Sequence, residues 1–223
     1  MISPNIIKFL TTLKKNNNRD WFNKNKKCYQ RSREEFEVYV NYLIGKIQTF
    51  DADTRYLTAK DCIFRIYRDV RFSKDMSPYK TNFGAFIVKD GRKSGNAGYY
   101  LHIEPGSSFQ GGGIYMPPAE TLRVLRKEIF ETIEEFKFII SEKEFKYHFG
   151  EISGEKLKTA PRGFPMDFPE IELLKYKSYT IIKSVPDGFI QSKELTEEIT
   201  RVFKAMYPFN RFINMAIAKN YRA

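Results

Sequence analysis

Cysteine, histidine and tryptophan are scarce in this chain of 223 residues, which contains two, two and one of them respectively. Cys28 and Cys62 lack the spacing of metal ligands, and His102 and His148 are too few for a conventional zinc site. We therefore predict no metal site. With so little cysteine, we also expect a reduced protein in the cytoplasm.

Long apolar segments are absent as well. No apolar run approaches the roughly 20 residues that a helix needs to span a bilayer. The segment 1–8 also lacks an apolar core of signal-peptide length. The sequence predicts a protein that is neither secreted nor inserted into a membrane.

Familiar nucleotide-binding motifs are missing too. Gly111, Gly112 and Gly113 form the densest glycine cluster, but no Gly-Lys-Ser/Thr follows them and their spacing is not that of a dinucleotide fingerprint. We favour close backbone packing as the reason for these glycines over ligand binding. No motif in the sequence specifies a cofactor.

Positive charge, in contrast, is abundant. The chain has 38 Lys and Arg residues against 27 Asp and Glu residues, a net charge of +11. Nine basic and two acidic residues fall within residues 1–34, so much of the excess lies there. This charge favours nucleic acid, an acidic membrane surface or a phosphorylated ligand as a partner, without choosing among them.

The densest group of charges lies in residues 65–81, called the charged loop below. The segment Cys62–Tyr67 is rich in β-branched and aromatic residues and predicts a strand in which Arg65 and Tyr67 share a face. Pro78 is expected to stop a regular ladder before Tyr79. The charged loop is either a self-paired Arg–Asp clasp or a site for an anionic ligand.

Candidate site residues follow from these charges. Asp69 is the candidate catalytic group, because it directly follows the predicted strand, and His102 is the reserve acid or base. The candidate ligand-binding residues offer cationic or hydroxyl donors to an anion: Arg65, Arg68, Arg71, Tyr79, Lys80 and Arg162.

Several sequence blocks resemble those of a known family. They are RIYRDVRFSKD at residues 65–75 with PYKT at 78–81, residues 17–29, residues 99–117 with the three glycines, and PRGF at 161–164. The sequence is similar to a widespread bacterial and fungal family of uncharacterised proteins that share a domain of unknown function. The resemblance covers nearly the whole chain and implies no particular activity, cofactor or partner.

The order of predicted elements indicates an α+β fold. We predict one domain over residues 1–223, with a helical part at about 3–48, a sheet at about 62–115 plus 178–184, and C-terminal helices at about 192–218. The sheet should be largely antiparallel and covered by helices on one face. Periodicity predicts one helix from Pro117 to Phe136, and Pro208 is expected to interrupt the last helix.

The strand 98–104 alternates and is important for the site. Tyr99, Leu101 and Ile103 should share one face, whereas Tyr100, His102 and Glu104 should share the other. We expect the second group to meet Arg65 and Tyr67 across the sheet.

Three functions remain open at this point. The first is a site for an anionic, phosphorylated or carboxylated small molecule at the charged loop, with enzymatic activity as an additional hypothesis. The second is nucleic-acid binding by the basic N-terminal helices. The third is a structural or interaction protein with self-paired loop charges.

Overall fold

The structure is a computed structural model that describes residues 1–71 and 73–220. Phe72, which belongs to the RIYRDVRFSKD block, lies outside the described residues. The helices of the described part are α1 Pro4–Lys15, α2 Arg19–Lys24, α3 Lys26–Ile47, α4 Ala59–Cys62, α5 Ala119–Glu131, α6 Ile133–Ser141, α7 Lys143–Phe149, α8 Ile171–Leu174, α9 Asp187–Ile190 and α10 Leu195–Asn220. The strands are β1 Phe83–Ile87, β2 Gly98–Ile103, β3 Phe109–Ile114 and β4 Tyr179–Ser184.

The four strands form one antiparallel sheet in the order β1-β2-β3-β4. Each strand therefore pairs with its neighbour along the chain. One set of sheet side chains packs on helices: Phe83 stacks on Phe36 of α3, and Tyr99 meets Phe203 of α10. Helices packed on an antiparallel sheet make an α+β fold, as predicted.

The chain divides into two compact units. The first unit comprises Met1–Lys93, Tyr100–Gln110 and Ser184–Arg201. The second comprises Ser94–Tyr99, Gly111–Lys183 and the residues from Val202 onward. Neither unit is one continuous block of sequence, and a single domain over residues 1–223 stays a prediction.

Local capping begins the helices of the first unit where the sequence predicts. Ser3 caps α1 by accepting a hydrogen bond from the backbone N–H of Asn5, and Pro4 is the first helical residue. Asn18 caps α2 through the backbone N–H of Trp21. These short-range contacts satisfy amide groups that a helix end otherwise leaves unpaired.

The predicted strand Cys62–Tyr67 is wrong as a regular strand. Cys62 ends the short helix α4, and the following residues form only isolated antiparallel bridges, Ile63 with Ala85 and Tyr67 with Tyr79. The alternation is nonetheless present, since Arg65 and Tyr67 are exposed and the residue between them is buried. Beyond the Tyr67–Tyr79 bridge, Pro78 accepts from the Arg68 N–H but has no N–H to donate in return, which interrupts the ladder there.

The single helix predicted from Pro117 to Phe136 is two helices, α5 and α6. They meet at Thr132, whose φ of −125° and ψ of 43° lie outside the helical range. The Thr132 hydroxyl donates 2.8 Å back to the carbonyl of Glu128. Such a bond competes with the regular helical ladder, which periodicity alone does not reveal.

Pro208 does not interrupt the last helix, contrary to the prediction. It lies inside α10, is exposed, and stands between Met206 and Phe209, which are both fully buried. The buried stripe of α10 thus continues past the proline. Packing of that stripe outweighs the hydrogen bond and the local geometry that proline costs a helix.

In the part of the chain that the structure describes, no helix combines the length and apolar character needed to cross a membrane.

Candidate functional site

Two arginine–aspartate pairs organise the charged loop. Arg68 forms an ion pair with Asp75 and donates a 3.3 Å hydrogen bond to the Ser73 hydroxyl. Asp75 also accepts from the backbone N–H of Ser77 at 2.9 Å. Hydrogen bonds from Ser77 and Arg68 hold the pKa of the Asp75 carboxyl well below its usual range.

The second pair joins Asp69 and Arg71 in a bidentate arrangement. The Arg71 Nε and Nη2 atoms lie 2.9 and 2.6 Å from the two carboxylate oxygens of Asp69. These hydrogen bonds lower the pKa of Asp69, and both side chains are exposed. A carboxylate stabilised in its charged form is a weak base at neutral pH, so this geometry favours Asp69 as a partner for arginine.

Tyr79 belongs to the core of the first unit. Its ring stacks on Phe22 with centroids 3.9 Å apart, and the residue is only 5% exposed. Burial raises the pKa of its hydroxyl. We therefore leave Tyr79 out of the proposed ligand set, since its ring contributes by packing.

Lys80 lies in a different environment from the arginines of the two pairs. Its Nζ is 5.3 Å from the centre of the Phe64 ring, and the Arg92 guanidinium lies 6.0 Å from the same centre. Burial lowers the pKa of Lys80, and the positive charge of Arg65 lowers it further. We call Phe64, Arg65, Lys80 and Arg92 the Lys80 cluster.

Two members of the Lys80 cluster, Lys80 and Arg65, lack an ion-pair partner among the described residues, whereas the charge of Arg92 acts on Asp61. Across residues 1–71 and 73–220, no carboxylate lies within ion-pair distance of Lys80 or Arg65. The charge of Arg65 contributes to the lowered pKa of Asp69, but the Asp69 carboxylate is hydrogen-bonded to Arg71. Arg92 donates to the backbone carbonyls of Lys60 and Asp61.

A network of polar side chains occupies the half-exposed face of β2. His102 is its centre: Nδ1 lies 3.1 Å from the Tyr100 hydroxyl and 3.3 Å from the Asn82 amide nitrogen. On the other side of the ring, Nε2 lies 3.0 Å from Glu104 Oε2. The second Glu104 oxygen accepts a 2.6 Å hydrogen bond from Thr81. We call these five residues the β2 network.

The surroundings of the β2 network hold its charges and rings in place. Burial works against ionisation of Glu104, but hydrogen bonds from Thr81 and His102 outweigh it and lower the pKa of this carboxyl. Lys14 Nζ, 3.8 Å away, acts in the same direction. Burial raises the pKa of Tyr100 to about 12, with the charge of Glu104 adding to the effect.

The predicted alternation of β2 is confirmed, but its expected partners differ. Tyr100, His102 and Glu104 do share the less buried face. Their described contacts are with Thr81, Asn82 and Phe64 rather than with Arg65 and Tyr67. Thr81 is the last residue of the PYKT block and Asn82 directly follows it, and that position is the sequence signal that could have found them.

The other candidates lie outside these two groups. Arg162 is exposed and belongs to the second unit. His148 is buried, with Glu144 Oε2 3.4 Å from Nε2 and Lys183 Nζ 3.4 Å from Nδ1, which makes it a packing residue. No group of three or more potential metal ligands occurs among the described residues.

The glycine cluster of β3 serves packing within the second unit. A Cβ on Gly112 would lie 2.7 Å from the Met206 sulfur, and one on Gly113 would overlap the carbonyl oxygen of Tyr179. Asn210 reaches the same strand and accepts a 2.7 Å hydrogen bond from the Gly113 N–H. This agrees with the packing explanation favoured from the sequence.

A comparison with known families covers nearly the whole chain. The model of the family described as conserved hypothetical protein (DUF2461) matches residues 5–212. This chain belongs to the DUF2461 family. The match includes the charged loop, the β2 network and most of α10, so both groups of side chains lie inside the region that defines DUF2461. None of the curated proteins and none of the solved structures matches the chain.

Proposed function

We propose that this DUF2461 protein binds a phosphorylated or carboxylated small ligand at the Lys80 cluster. The observation that carries this proposal is the half-buried Lys80 beside Arg65, with no carboxylate partner among the described residues. A partly buried cation next to another cation is disfavoured until a negative charge compensates it. A ligand anion would supply that charge.

The arginine–aspartate pairs have a supporting role in this proposal. Arg68 and Arg71 have their own carboxylates, Asp75 and Asp69. We infer that these pairs hold the charged loop in shape and that Lys80 and Arg65 bind the ligand. Asp69 as a catalytic group stays a prediction.

The ligand site can be tested with an unbiased panel of small anions. Sugar phosphates, nucleoside phosphates, inorganic phosphate and di- and tricarboxylates would be screened by thermal shift, and binders measured by calorimetry. A ligand at 100 times its Kd stabilises the folded state by about 2.7 kcal/mol, a readily measured shift. Absence of any stabilising anion would contradict the proposal.

A matched pair of lysine variants locates the site. Lys80→Met removes the charge of the Lys80 cluster, whereas Lys74→Met removes one from an exposed position of the same loop. We expect Lys80→Met to weaken anion binding by about tenfold or more, the range for a hydrogen bond to a charged group. Lys74→Met should change it less than twofold. Equal effects of the two variants would place the ligand elsewhere.

Nucleic-acid binding is the second candidate function. Lys24, Lys26 and Lys27 are exposed, and in the part that the structure describes none of them forms an ion pair. Three adjacent unpaired cations can contact phosphates without losing an internal partner. The salt dependence of binding in a variant with these three lysines changed to Gln tests this candidate.

A further inference from the structure

We propose that Tyr100, His102 and Glu104 form a proton relay, in which the Tyr100 hydroxyl is the group that exchanges a proton with a bound substrate. The substrate would be an anion with an acidic proton, and this substrate class rests on the proposed function. Tyr100 is the catalytic residue. His102 and Glu104 act through it and are positioning residues.

The relay consists of a carboxylate, an imidazole and a hydroxyl, each within hydrogen-bond distance of the next. Glu104 Oε2 is 3.0 Å from one ring nitrogen of His102, and the Tyr100 hydroxyl is 3.1 Å from the other. The neutral ring with its proton on Nε2 donates to Glu104 and leaves Nδ1 as an acceptor. A base oriented in this way can take a proton from the hydroxyl.

The hydrogen bonds at His102 Nδ1 favour a site that can bind a substrate over a network in which every polar group is already satisfied. In this tautomer the Tyr100 hydroxyl and the Asn82 amide are both donors to Nδ1, which has a single lone pair. Nδ1 can therefore accept a full hydrogen bond from only one of these two donors, and the other donor can bond a substrate. His102 is the only described polar partner of the Tyr100 hydroxyl, whose oxygen keeps lone pairs for a substrate proton.

The local packing fixes the imidazole and makes room for the phenol. The His102 ring stacks on Phe109 with centroids 4.6 Å apart and an interplanar angle of 17°. A Cβ on Gly84 of β1 would lie 2.7 Å from the Tyr100 hydroxyl oxygen, so the absence of a side chain there allows the present position of the phenol. A substitution at Gly84 would therefore displace the Tyr100 hydroxyl without removing it.

The relay adjoins the Lys80 cluster through one aromatic ring. The edge of Tyr100 meets Phe64 at 6.1 Å between centroids, and the Lys80 ammonium contacts the same Phe64 ring. An anion held by Lys80 would therefore lie beside the residue that contacts the reacting phenol. This proximity connects the relay to a ligand site.

The proposed step is balanced by the three side chains and the substrate. The substrate X–H bond breaks and its proton joins the Tyr100 oxygen, while the original phenol proton passes to His102 Nδ1. The substrate keeps the electron pair of the broken bond. The resulting imidazolium donates to Glu104 through Nε2, and the reverse transfers return the proton to the product.

An aryl sulfonyl fluoride tests the relay without a known substrate. The Tyr100 oxygen attacks sulfur, the S–F bond breaks, fluoride leaves, and the phenol proton passes to His102. Peptide mass spectrometry at neutral pH would compare labelling rates of all tyrosines in the same sample. We expect Tyr100 to react about 100-fold faster than the exposed Tyr115 and Tyr147, since a positioned base contributes about 10²- to 10⁴-fold and the raised pKa of the Tyr100 phenol offsets part of this gain. Equal or slower labelling of Tyr100 would overturn the relay.

Two variants separate general-base assistance from simple accessibility. His102→Phe keeps a ring to stack on Phe109 but removes the base, and should lower the Tyr100 rate to that of the exposed tyrosines. Gly84→Ala displaces the hydroxyl and should also lower it while leaving His102 intact. Unchanged labelling in either folded variant would contradict the proposal.

Further controls cover loss of fold and failure of the ligand proposal. If circular dichroism shows that His102→Phe does not fold, Glu104→Gln replaces it, with an expected fall of about tenfold because the imidazolium loses its counter-charge. The probe is uncharged, so its reaction does not need the anion site. Selective labelling of Tyr100 together with a negative anion panel would refute the proposed function and leave the relay standing.

Discussion

The Asn17 side chain joins the charged loop to the segment between α1 and α2, in addition to the stacking of Tyr79 on Phe22. Asn17 donates 2.9 Å to the carbonyl of Tyr79 and accepts 3.2 Å from its backbone N–H. The Asn17 side chain thus bonds both backbone polar groups of Tyr79, as the backbone of a neighbouring strand would. With Pro78 unable to donate, the loop cannot extend a regular ladder, which is why only isolated bridges occur there.

At the same scale, Glu104 makes stability depend on pH. Its pKa is lower in the folded state than the ordinary value of 4.5. The ionised carboxylate therefore stabilises the fold above pH 4.5, and this contribution is lost as pH falls through the lower, folded-state pKa. Folding stability should decline with acid over that window.

We expect Glu104→Gln to reduce the free energy of unfolding by about 1 to 2 kcal/mol at pH 7, because hydrogen bonds to a charged group are lost. The difference from wild type should shrink below about pH 4. Urea titrations at several pH values measure it. Glu155→Gln, at an exposed ion pair with Lys177, is the control and should show little effect. A pH-independent difference would contradict this role for Glu104.

Among the helices and strands of the second unit, α10 is joined to the backbone at β2 and β3 by two asparagines one helical turn apart. Asn210 donates 3.0 Å to the Gly98 carbonyl and accepts from Gly113, and Asn214 bonds both backbone groups of Ala97. Side-chain amides that satisfy backbone groups, as the buried Asn210 and the half-buried Asn214 do, favour one position of the helix, because a shift would leave several groups unpaired.

The glycines of two elements should respond oppositely to alanine. Gly113→Ala puts a Cβ onto the Tyr179 carbonyl at a φ of 96°, so we expect a loss of about 3 kcal/mol or more, or failure to fold. Gly45→Ala, in exposed space on α3, should gain about 0.5 to 1 kcal/mol from helix propensity. Chemical denaturation measures both. A mild effect at Gly113 would contradict the close approach.

A second element prediction concerns the proline of α10. Pro208→Ala restores a backbone N–H inside a continuous helix and removes a steric clash. We expect a gain of about 1 to 3 kcal/mol in the free energy of unfolding, within the known cost of proline in a helix interior. Lys204→Ala, exposed one turn earlier on the same helix, is the control and should change stability little. A destabilised Pro208→Ala variant would show that the proline shapes a needed bend.

At the scale of the whole molecule, charge is the dominant property. The net charge of +11 produces a long-range attraction for anions that salt screens. Pairs such as Arg31 with Glu35 and Arg33 with Glu37 neutralise part of α3, whereas Lys24, Lys26 and Lys27 remain without described ion pairs.

If nucleic acid is a partner, changing all three of these lysines to Gln should weaken binding to unrelated sequences alike. The slope of log K against log salt should fall by roughly two to three units, about one for each lost phosphate contact. Titrations at several salt concentrations measure this. A variant with Lys143, Lys158 and Lys193 changed to Gln loses the same charge from other exposed positions. Equal slopes in the two variants would remove the N-terminal helices from the interface.

Contacts between residues close in sequence explain the features that sequence patterns predict correctly. Ser3 and Asn18 cap helices because their partners lie two and three residues away. The alternation of β2 placed Tyr100, His102 and Glu104 on one face because side chains of a strand alternate by geometry. The α+β class followed from the same short-range patterns.

Other features arise from contacts between segments that are distant in sequence. Asn17 and Tyr79 are 62 residues apart in sequence, and Thr81 and Glu104 are 23 apart. Composition shows neither contact, so Tyr79 looked like a ligand-binding residue although stacking on Phe22 buries it. Pro208 reads locally as a helix breaker, yet α10 continues because the burial of its apolar stripe exceeds the local cost of proline. Burial and long-range hydrogen bonds depend on which segments meet, and only the folded chain brings them together.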